Sequence, residues 1–317
     1  MTDELSVSRA GMGGRDLDEA RAMYEDDYSG TGFVAELSDE AFAYRYTVAG
    51  DANMTLRSSM FLGSIQGTIQ PENEYVVSWI LGGSGVMDLG GDETALVLGR
   101  PAMFPTGRPF AFEFQDYRQS LIHFNAGFLE RVAAEHEDAL HAPIHFDHAA
   151  APAPEALVRW KGVVDESALL ILTGAPTPLQ MSELSRRTAT ALLDTFPHET
   201  TPLPPVLLKP RNVRLRRAVD HLHAHAHEPL TTSDVAEVVG LSPRSLQQAF
   251  QRQLGVSPTE YLRGIRLDRV NVELLHLAPE HSTVGEVAAR WGFTNPGRFA
   301  GAYLARFGEY PRDTLGR

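Results

Sequence analysis

The chain has 317 residues, 41 of them acidic and 28 basic, with 43% hydrophobic residues and no cysteine. That length and hydrophobic content suit two domains, each with a core of its own. The missing thiols exclude disulfide scaffolds and thiolate metal sites, and no apolar run approaches the ~18 residues of a membrane helix.

The charge is unevenly placed. Residues 1–206 carry 13 Lys and Arg against 30 Asp and Glu, a net of −17, whereas residues 207–317 carry 15 against 11, a net of +4. An acidic half joined to a mildly basic one is expected when only one half meets phosphate. So small a surplus implies few phosphate contacts and salt-sensitive binding. The opening Met1-Thr2-Asp3-Glu4 lacks the basic start and apolar run of a secretion signal, so a cytoplasmic location is expected.

Residues 1–39 are acidic and rich in glycine, and read as a loosely packed lead-in with a short helix near Leu17 and Tyr24. From residue 40 the pattern changes to strands. Met54, Leu56, Ser58, Met60 and Leu62 alternate with a period of two. The β-branched and aromatic residues 75–81 read as a strand broken by Gly82-Gly83-Ser84-Gly85. Gly90-Gly91-Asp92 marks a hairpin. Residues 109–114 and 119–124 read as two further strands. Short strands with glycine turns predict a β-barrel or sandwich.

Helical spacing returns at residues 127–197. Phe128 and Leu129 open one predicted helix, Leu157, Trp160 and Val164 mark a second, and Leu184, Ala191 and Leu192 a third. Five prolines between Pro197 and Pro210 predict an extended, semi-rigid linker over residues 198–210. The second domain then takes residues 211–317, its first helix over 211–227.

This last domain contains one pattern written twice. The first copy is Val235-Ala236, then Gly240-Leu241-Ser242-Pro243-Arg244-Ser245-Leu246, Phe250, and Gly255-Val256-Ser257-Pro258. The second is Val287-Ala288, then Gly292-Phe293-Thr294-Asn295-Pro296, Phe299, Tyr303, Phe307-Gly308 and Pro311. Ser242 to Asn295 and Phe250 to Tyr303 are both 53 positions, while Ala236 to Ala288 is 52, so the second turn holds one extra residue. Each copy reads as helix, tight turn, helix. Thr232 or Ser233 can cap the first helix, Gly240 allows the left-handed turn, and Ser242 caps a second helix with Pro243 at its first position. Leu246, Phe250 and Leu254 recur at i, i+4 and i+8 and face inward. This is the helix-turn-helix plan for entering the major groove. A long helix over residues 257–277 joins the copies.

Two such units on one connecting helix resemble the DNA-binding domain of the AraC/XylS family of transcription regulators. The resemblance covers about 100 residues, in order and at matching spacing. It implies an α+β two-domain protein, with a cupin-like β-barrel or sandwich and flanking helices over residues 40–197 and an all-α double helix-turn-helix after residue 210. It also implies double-stranded DNA as partner, an activator role with RNA polymerase as a further partner, a homodimer through helices after the barrel, and a small organic effector of unknown identity.

On that resemblance Arg244, Gln247 and Gln248 match base-reading positions, and their chemistry fits: Arg bonds guanine bidentately and Gln bonds adenine. Ser245, Gln251 and Arg252 complete the first DNA-facing set, with Ser245 and Arg252 assigned to phosphate. In the second unit only Asn295 and Arg298 are polar among Pro296, Gly297, Ala300 and Gly301, so specificity is expected to concentrate in the first. Effector-lining candidates are Trp79, Arg108, Phe110, Phe112 and His123.

Other chemistries are weakly supported. His221, His223, His225 and His227 look like a metal tract, but on a helix only His221/His225 and His223/His227 share a face, and no third ligand is placed by the sequence. A solvated helix surface is the simpler reading. A cupin-type enzyme fused to a DNA-binding module would need histidine ligands in the barrel, where residues 40–125 hold only His123. Gly83-Ser84-Gly85 lacks the strand–turn–helix setting of a serine nucleophile. No catalytic residue, metal or cofactor is therefore assigned. A regulator without an effector remains the other alternative.

Overall fold

The computed structural model describes residues 7–27, 30–37, 42–71, 73–276 and 283–315. Residues 1–6 of the expected lead-in, residue 277 of the long helix and residues 316–317 lie outside these. The chain forms two units, Met1–His136 with Pro143–Glu199, and Glu137–Ala142 with Thr200–Arg317.

The first unit is built on one sheet. Strands β1 (Ser8–Gly14), β3 (Tyr44–Gly50), β4 (Met54–Ile69), β8 (Phe110–Asn125), β5 (Glu74–Met87) and β6 (Thr94–Ala95) pair in that order, with β2 (Thr31–Glu36) on β4 and β7 (Ala102–Met103) on β5. Among the described strands the order runs from β1 to β6 without closing, so of the expected barrel or sandwich the structure forms an open sheet covered by helices.

Two predicted strand breaks prove to be one feature. The glycine run 82–85 and the gap at 115–118 lie opposite each other, Gly82 pairing Arg118 and Ser84 pairing Gln115. Strands β5 and β8 therefore continue through a shared bulge. Asp116 takes φ 46° there, and a Cβ on Gly83 would stand 2.4 Å from the carbonyls of Gln115 and Asp116, so glycine is required. The bulge adds a residue and shifts the alternation. Phe110, Phe112 and Phe114 before it share a face with Tyr117 and Leu121 after it.

That face is filled by aromatic rings, with Phe33, Phe42, Tyr44, Tyr46 and Phe61 among them. Helix α1 (Leu17–Asp27) adds buried Ala20 and Tyr24. The loose lead-in is thus corrected: β1 pairs along β3, and α1 and β2 belong to the core.

The opposite face carries Met54, Leu56, Tyr75, Val77, Ile122 and Phe124. Against it pack α2 (Ala126–His136), α3 (Pro154–Thr173) and α4 (Pro178–Leu193) through Leu129, Trp160, Ile171, Met181 and Leu192. Pro154 and Pro178 stand at first helical positions, and Thr177 closes a capping box with Gln180. A short pair, β9 (His145–Phe146) and β10 (His198–Glu199), completes the unit.

The proline-rich stretch is not a free spacer. His198 and Glu199 form β10, and a 3₁₀ turn spans Pro210–Asn212. Between them Leu203 and Leu207 are buried in the second unit, because apolar side chains at i and i+4 sit between the prolines. Residues 137–142 belong to the same unit. Ala139 pairs with Pro202, Leu140 and Ala142 enter the core beside Leu203 and Leu215, and Asp138 meets Arg216 at 3.2 Å.

The remainder is helical: α5 (Val213–Ala224), α6 (Thr232–Val238), α7 (Pro243–Leu254), α8 (Pro258–His276), α9 (Val284–Arg290), α10 (Pro296–Phe307) and α11 (Pro311–Leu315). One core gathers Leu222, Val235, Leu246, Phe250 and Ile265, and a second Val270, Leu274, Val287, Phe299 and Tyr303. Trp291 packs against both.

Candidate nucleic-acid interface

Helices α6 and α7 form one helix-turn-helix and α9 and α10 the other. Their turns are the same turn. Leu241 N donates to Ala236 O at 2.9 Å, and Phe293 N to Ala288 O at 2.9 Å. Gly240 and Gly292 take φ of 64° and 77°, the left-handed conformation that ends a helix with a six-to-one bond. The next helix is capped in both: Ser242 Oγ accepts from Ser245 N at 3.1 Å, Asn295 Oδ1 from Arg298 N at 2.9 Å. The turn bonds repeat at 52 positions and the caps at 53, so Thr294 is the extra residue. Both second helices end on left-handed glycines, Gly255 and Gly308.

One sequence expectation is corrected at the start of the first unit. Thr231, not Thr232 or Ser233, caps α6 in a box with Asp234, and Thr283 does the same for α9 with Glu286. The side-chain and backbone bonds from Thr231 hold the Asp234 carboxyl below its usual range.

Leu246 and Phe250 are buried, which turns the other face of α7 outward. Arg244, Ser245, Gln247, Gln248, Gln251 and Arg252 are all exposed there. Two of them have local work. Ser245 Oγ lies 2.8 Å from Ser242 Oγ, and Gln251 Nε2 donates to Gly255 O at 3.2 Å. Arg244, Gln247 and Gln248 remain as an open polar group on the first two turns of α7, where a recognition helix meets base edges.

On α10, Asn295 spends its carbonyl oxygen on the cap, leaving the amide nitrogen. Arg298 is exposed. A Cβ on Gly301 would meet nothing within 4 Å, so neither crowding nor backbone conformation requires glycine there.

Arginines divide by role. Arg306 is held bidentately by Asp268 at 2.6 Å, Arg290 is paired with Glu273, and part-buried Arg266 donates to the carbonyls of Ala226 and Glu228. Arg244, Arg252 and Arg298 are exposed and make no ion pair among the described residues. Arg263, not singled out from the sequence, is also exposed and donates to Arg298 O at 3.4 Å, beside the start of α10. Its signal was available: a basic residue two turns into the connecting helix.

The histidines of the tract make separate local contacts. The rings of His221 and His225 lie 4.3 Å apart, as i, i+4 spacing requires, and His225 Nδ1 lies 2.9 Å from Glu228. His223 corrects the solvated-surface reading. It packs edge-on to Tyr261, and burial, with the charges of Arg269 and His141, pushes it down to about 3. Among the described residues no three His, Asp or Glu side chains are grouped to hold a metal ion.

The five effector candidates are not brought together. Phe110 and Phe112 lie in the aromatic face, while Trp79 packs on the helix-covered face. His123 is buried with Nδ1 2.9 Å from Glu74. Burial works to raise the Glu74 carboxyl, but the His123 bond and the charges of His123 and Arg57 outweigh it. Arg108 stands apart, paired with Asp88. The aromatic interior leaves a cavity of only about 30 Å³. Its polar groups satisfy one another: Ser59 Oγ lies 2.6 Å from Tyr24 OH and 3.0 Å from Tyr117 OH, and Gln119 donates to Ser78 at 2.8 Å.

A helix-covered sheet unit and a doubled helix-turn-helix unit in one chain define a two-domain transcription-regulator architecture. Residues 45–196 match the family model of an AraC-binding-like domain, and residues 235–317 that of a helix-turn-helix domain. The chain belongs to the AraC/XylS family. It is 48% identical over 101 residues to the "Probable thc operon regulatory protein" of Rhodococcus erythropolis, covering 32% of this chain and 30% of that protein. It is 34% identical over 104 residues to the "XylDLEGF operon transcriptional activator 2" of Pseudomonas putida, covering 33% of this chain and 66% of that one. Among solved structures, the AraC-like transcriptional activator CuxR aligns over 83% of this chain and 94% of its own, with 14% identity and a TM-score of 0.49. The match to the Rhodococcus protein thus spans less than a third of its length. No described helix is long and apolar enough to cross a membrane.

Proposed function

We propose that the chain is a sequence-specific transcription regulator, an activator in the cytoplasm, whose first unit binds a small organic effector and whose second unit binds double-stranded DNA. The observation that carries this reading is the repeat of turn, cap and outward-facing helix, with free arginines on both second helices. Helices α7 and α10 enter successive major-groove segments about one helical turn (~34 Å) apart. Arg244, Gln247 and Gln248 read bases. Ser245, Arg252 and Arg298 hold phosphates, and Asn295 offers one amide donor.

A homodimer through α3 and α4 is part of the same proposal. Val158, Leu169 and Leu172 lie along one side of α3 and are more than half exposed, and Leu179 at the start of α4 is 81% exposed. Apolar patches of this kind mark interaction surfaces. RNA polymerase is the further partner an activator requires.

Arg244→Ala tests the reading. On a selected site it is expected to lose roughly 1–3 kcal/mol, with little change on random DNA. Equal loss on both would reduce Arg244 to a phosphate clamp.

A further inference from the structure

Binding pockets for small organic molecules usually span roughly 300–1,000 Å³, and the aromatic interior of the sheet offers about 30 Å³. A recess of about 500 Å³ opens elsewhere on the same unit, walled by Arg108, His145, His148 and His198, with buried Phe146 beneath it. Three carboxylates, Asp92, Asp147 and Glu199, stand around it.

The recess is built on a buried charge. Asp88, 3% exposed, receives both terminal nitrogens of Arg108, and His148 Nε2 lies 3.0 Å from its Oδ2. Asp92 N donates to the same oxygen at 3.0 Å. The β5–β6 turn is shaped around this carboxylate. Asp88 itself takes φ 60°, and a Cβ on Gly91 would stand 2.7 Å from Asp88 Oδ1. A non-glycine residue in that conformation is strained, and such strain persists where the surroundings fix a side chain in place. Here it fixes the guanidinium and the imidazole that line the recess.

The floor of the recess is the β9–β10 pair. His145 follows Ala142 by three residues, and Glu199 directly precedes Thr200, so each strand adjoins a point where the chain passes into the second unit. The two passages are paired inside that unit. Ala139 bridges Pro202, and Leu140 N donates to Thr201 O at 2.7 Å. Leu140 and Leu203 are buried in the core that also holds Leu246 and Phe250 of α7. A ligand touching His145 and Glu199 therefore acts on backbone continuous with the first helix-turn-helix.

We propose that this recess, rather than the sheet interior, is the effector site, and that it takes a small zwitterion of amino-acid size. The ligand carboxylate meets Arg108 and the imidazoles, and its ammonium meets Asp92 and Glu199. This rests on the effector-controlled reading above and names the site and ligand class for it.

Thermal unfolding of the full chain tests it. Each of the twenty amino acids is added singly, with benzoate as a carboxylate-only probe and butylamine as an amine-only probe. At a hundredfold excess over Kd, at least one amino acid is expected to raise Tm by roughly 5 °C. The shift disappears in the Asp92→Asn/Glu199→Gln double variant, whose own Tm stays near that of the parent because both side chains are exposed. No response to any amino acid, or a response that survives the double variant, overturns the proposal. So does stabilisation by benzoate alone. DNA binding of the same preparations separates the two readings: intact DNA binding without a ligand response sinks only the recess, and lost DNA binding sinks the regulator.

Discussion

Arg266 Nη1 lies 3.1 Å from the point where a Cβ on Gly292 would stand. Arg266 belongs to the connecting helix α8, and Gly292 is the turn of the second helix-turn-helix. The same guanidinium donates to Ala226 O at 2.7 Å and Glu228 O at 2.6 Å, in the turn that follows α5. One side chain thus ties the first helix-turn-helix core to the second, and burial holds its pKa below the usual arginine value. Replacing Arg266 by Met leaves two carbonyls without these charged donors. We expect a loss of about 2–3 kcal/mol in urea unfolding. We also expect weaker discrimination between DNA sites whose two half-boxes are spaced 10 or 11 base pairs apart. Spacing preference equal to that of the parent chain would show that Arg266 stabilises without orienting.

The glycines of the second unit give a contrast. Gly292→Ala places a Cβ against Arg266 in a left-handed backbone, and should cost about 1–2 kcal/mol. Gly301→Ala enters open space within a helix, and should stabilise by about 0.5–1 kcal/mol. Paired urea titrations read both signs. A destabilising Gly301→Ala would mean the helix backbone there is constrained by something other than its own geometry.

Histidine 223 makes the DNA-binding unit sensitive to acid. Its pKa falls from 6.5 in the unfolded chain to about 3, chiefly through burial. The folded form therefore disfavours a proton that the unfolded chain accepts. Its contribution is complete above pH 6.5 and is lost as the pH falls toward 3. Stability should drop by about 1 kcal/mol per pH unit below 6.5. His223→Phe should flatten that slope in urea titrations between pH 7 and 5. An unchanged slope would place the titrating group elsewhere.

Thr231 supplies the cap of α6, and Thr231→Ala should cost about 1 kcal/mol in the same assay. The pattern Thr231-x-x-Asp234 was present in the sequence, and repeats as Thr283-x-x-Glu286. Reading the cap from the first apolar positions alone put it one or two residues too late.

What was legible followed from locality. The doubled motif is written in turn glycines, caps and i, i+4 apolar residues, each acting within a few positions, so both units could be placed from the chain alone. The sheet was less legible because its faces depend on a bulge shared by two strands. A strict period of two cannot say that Phe112 and Leu121 share a face, nor that Trp79 lies on the other, since the extra residue at Asp116 changes the parity. Residues 137–142 were illegible for another reason. Their partners, Pro202, Leu203 and Arg216, lie more than sixty positions away, and nothing in a short acidic segment announces that pairing. Prolines 202, 204 and 205 suggested a spacer because Leu203 between them and Leu207 after them find their burial only in the folded unit.

Site recognition depends on α7 and α10 reading adjacent major-groove segments. Selection of binding sites from random duplex DNA by the purified full chain tests this most directly. Two enriched blocks about 10 base pairs apart are expected, with most of the information in the block read by Arg244, Gln247 and Gln248 and little in the one facing Gly297 and Gly301. No enrichment at low salt, or a single block with no periodic partner, would contradict it.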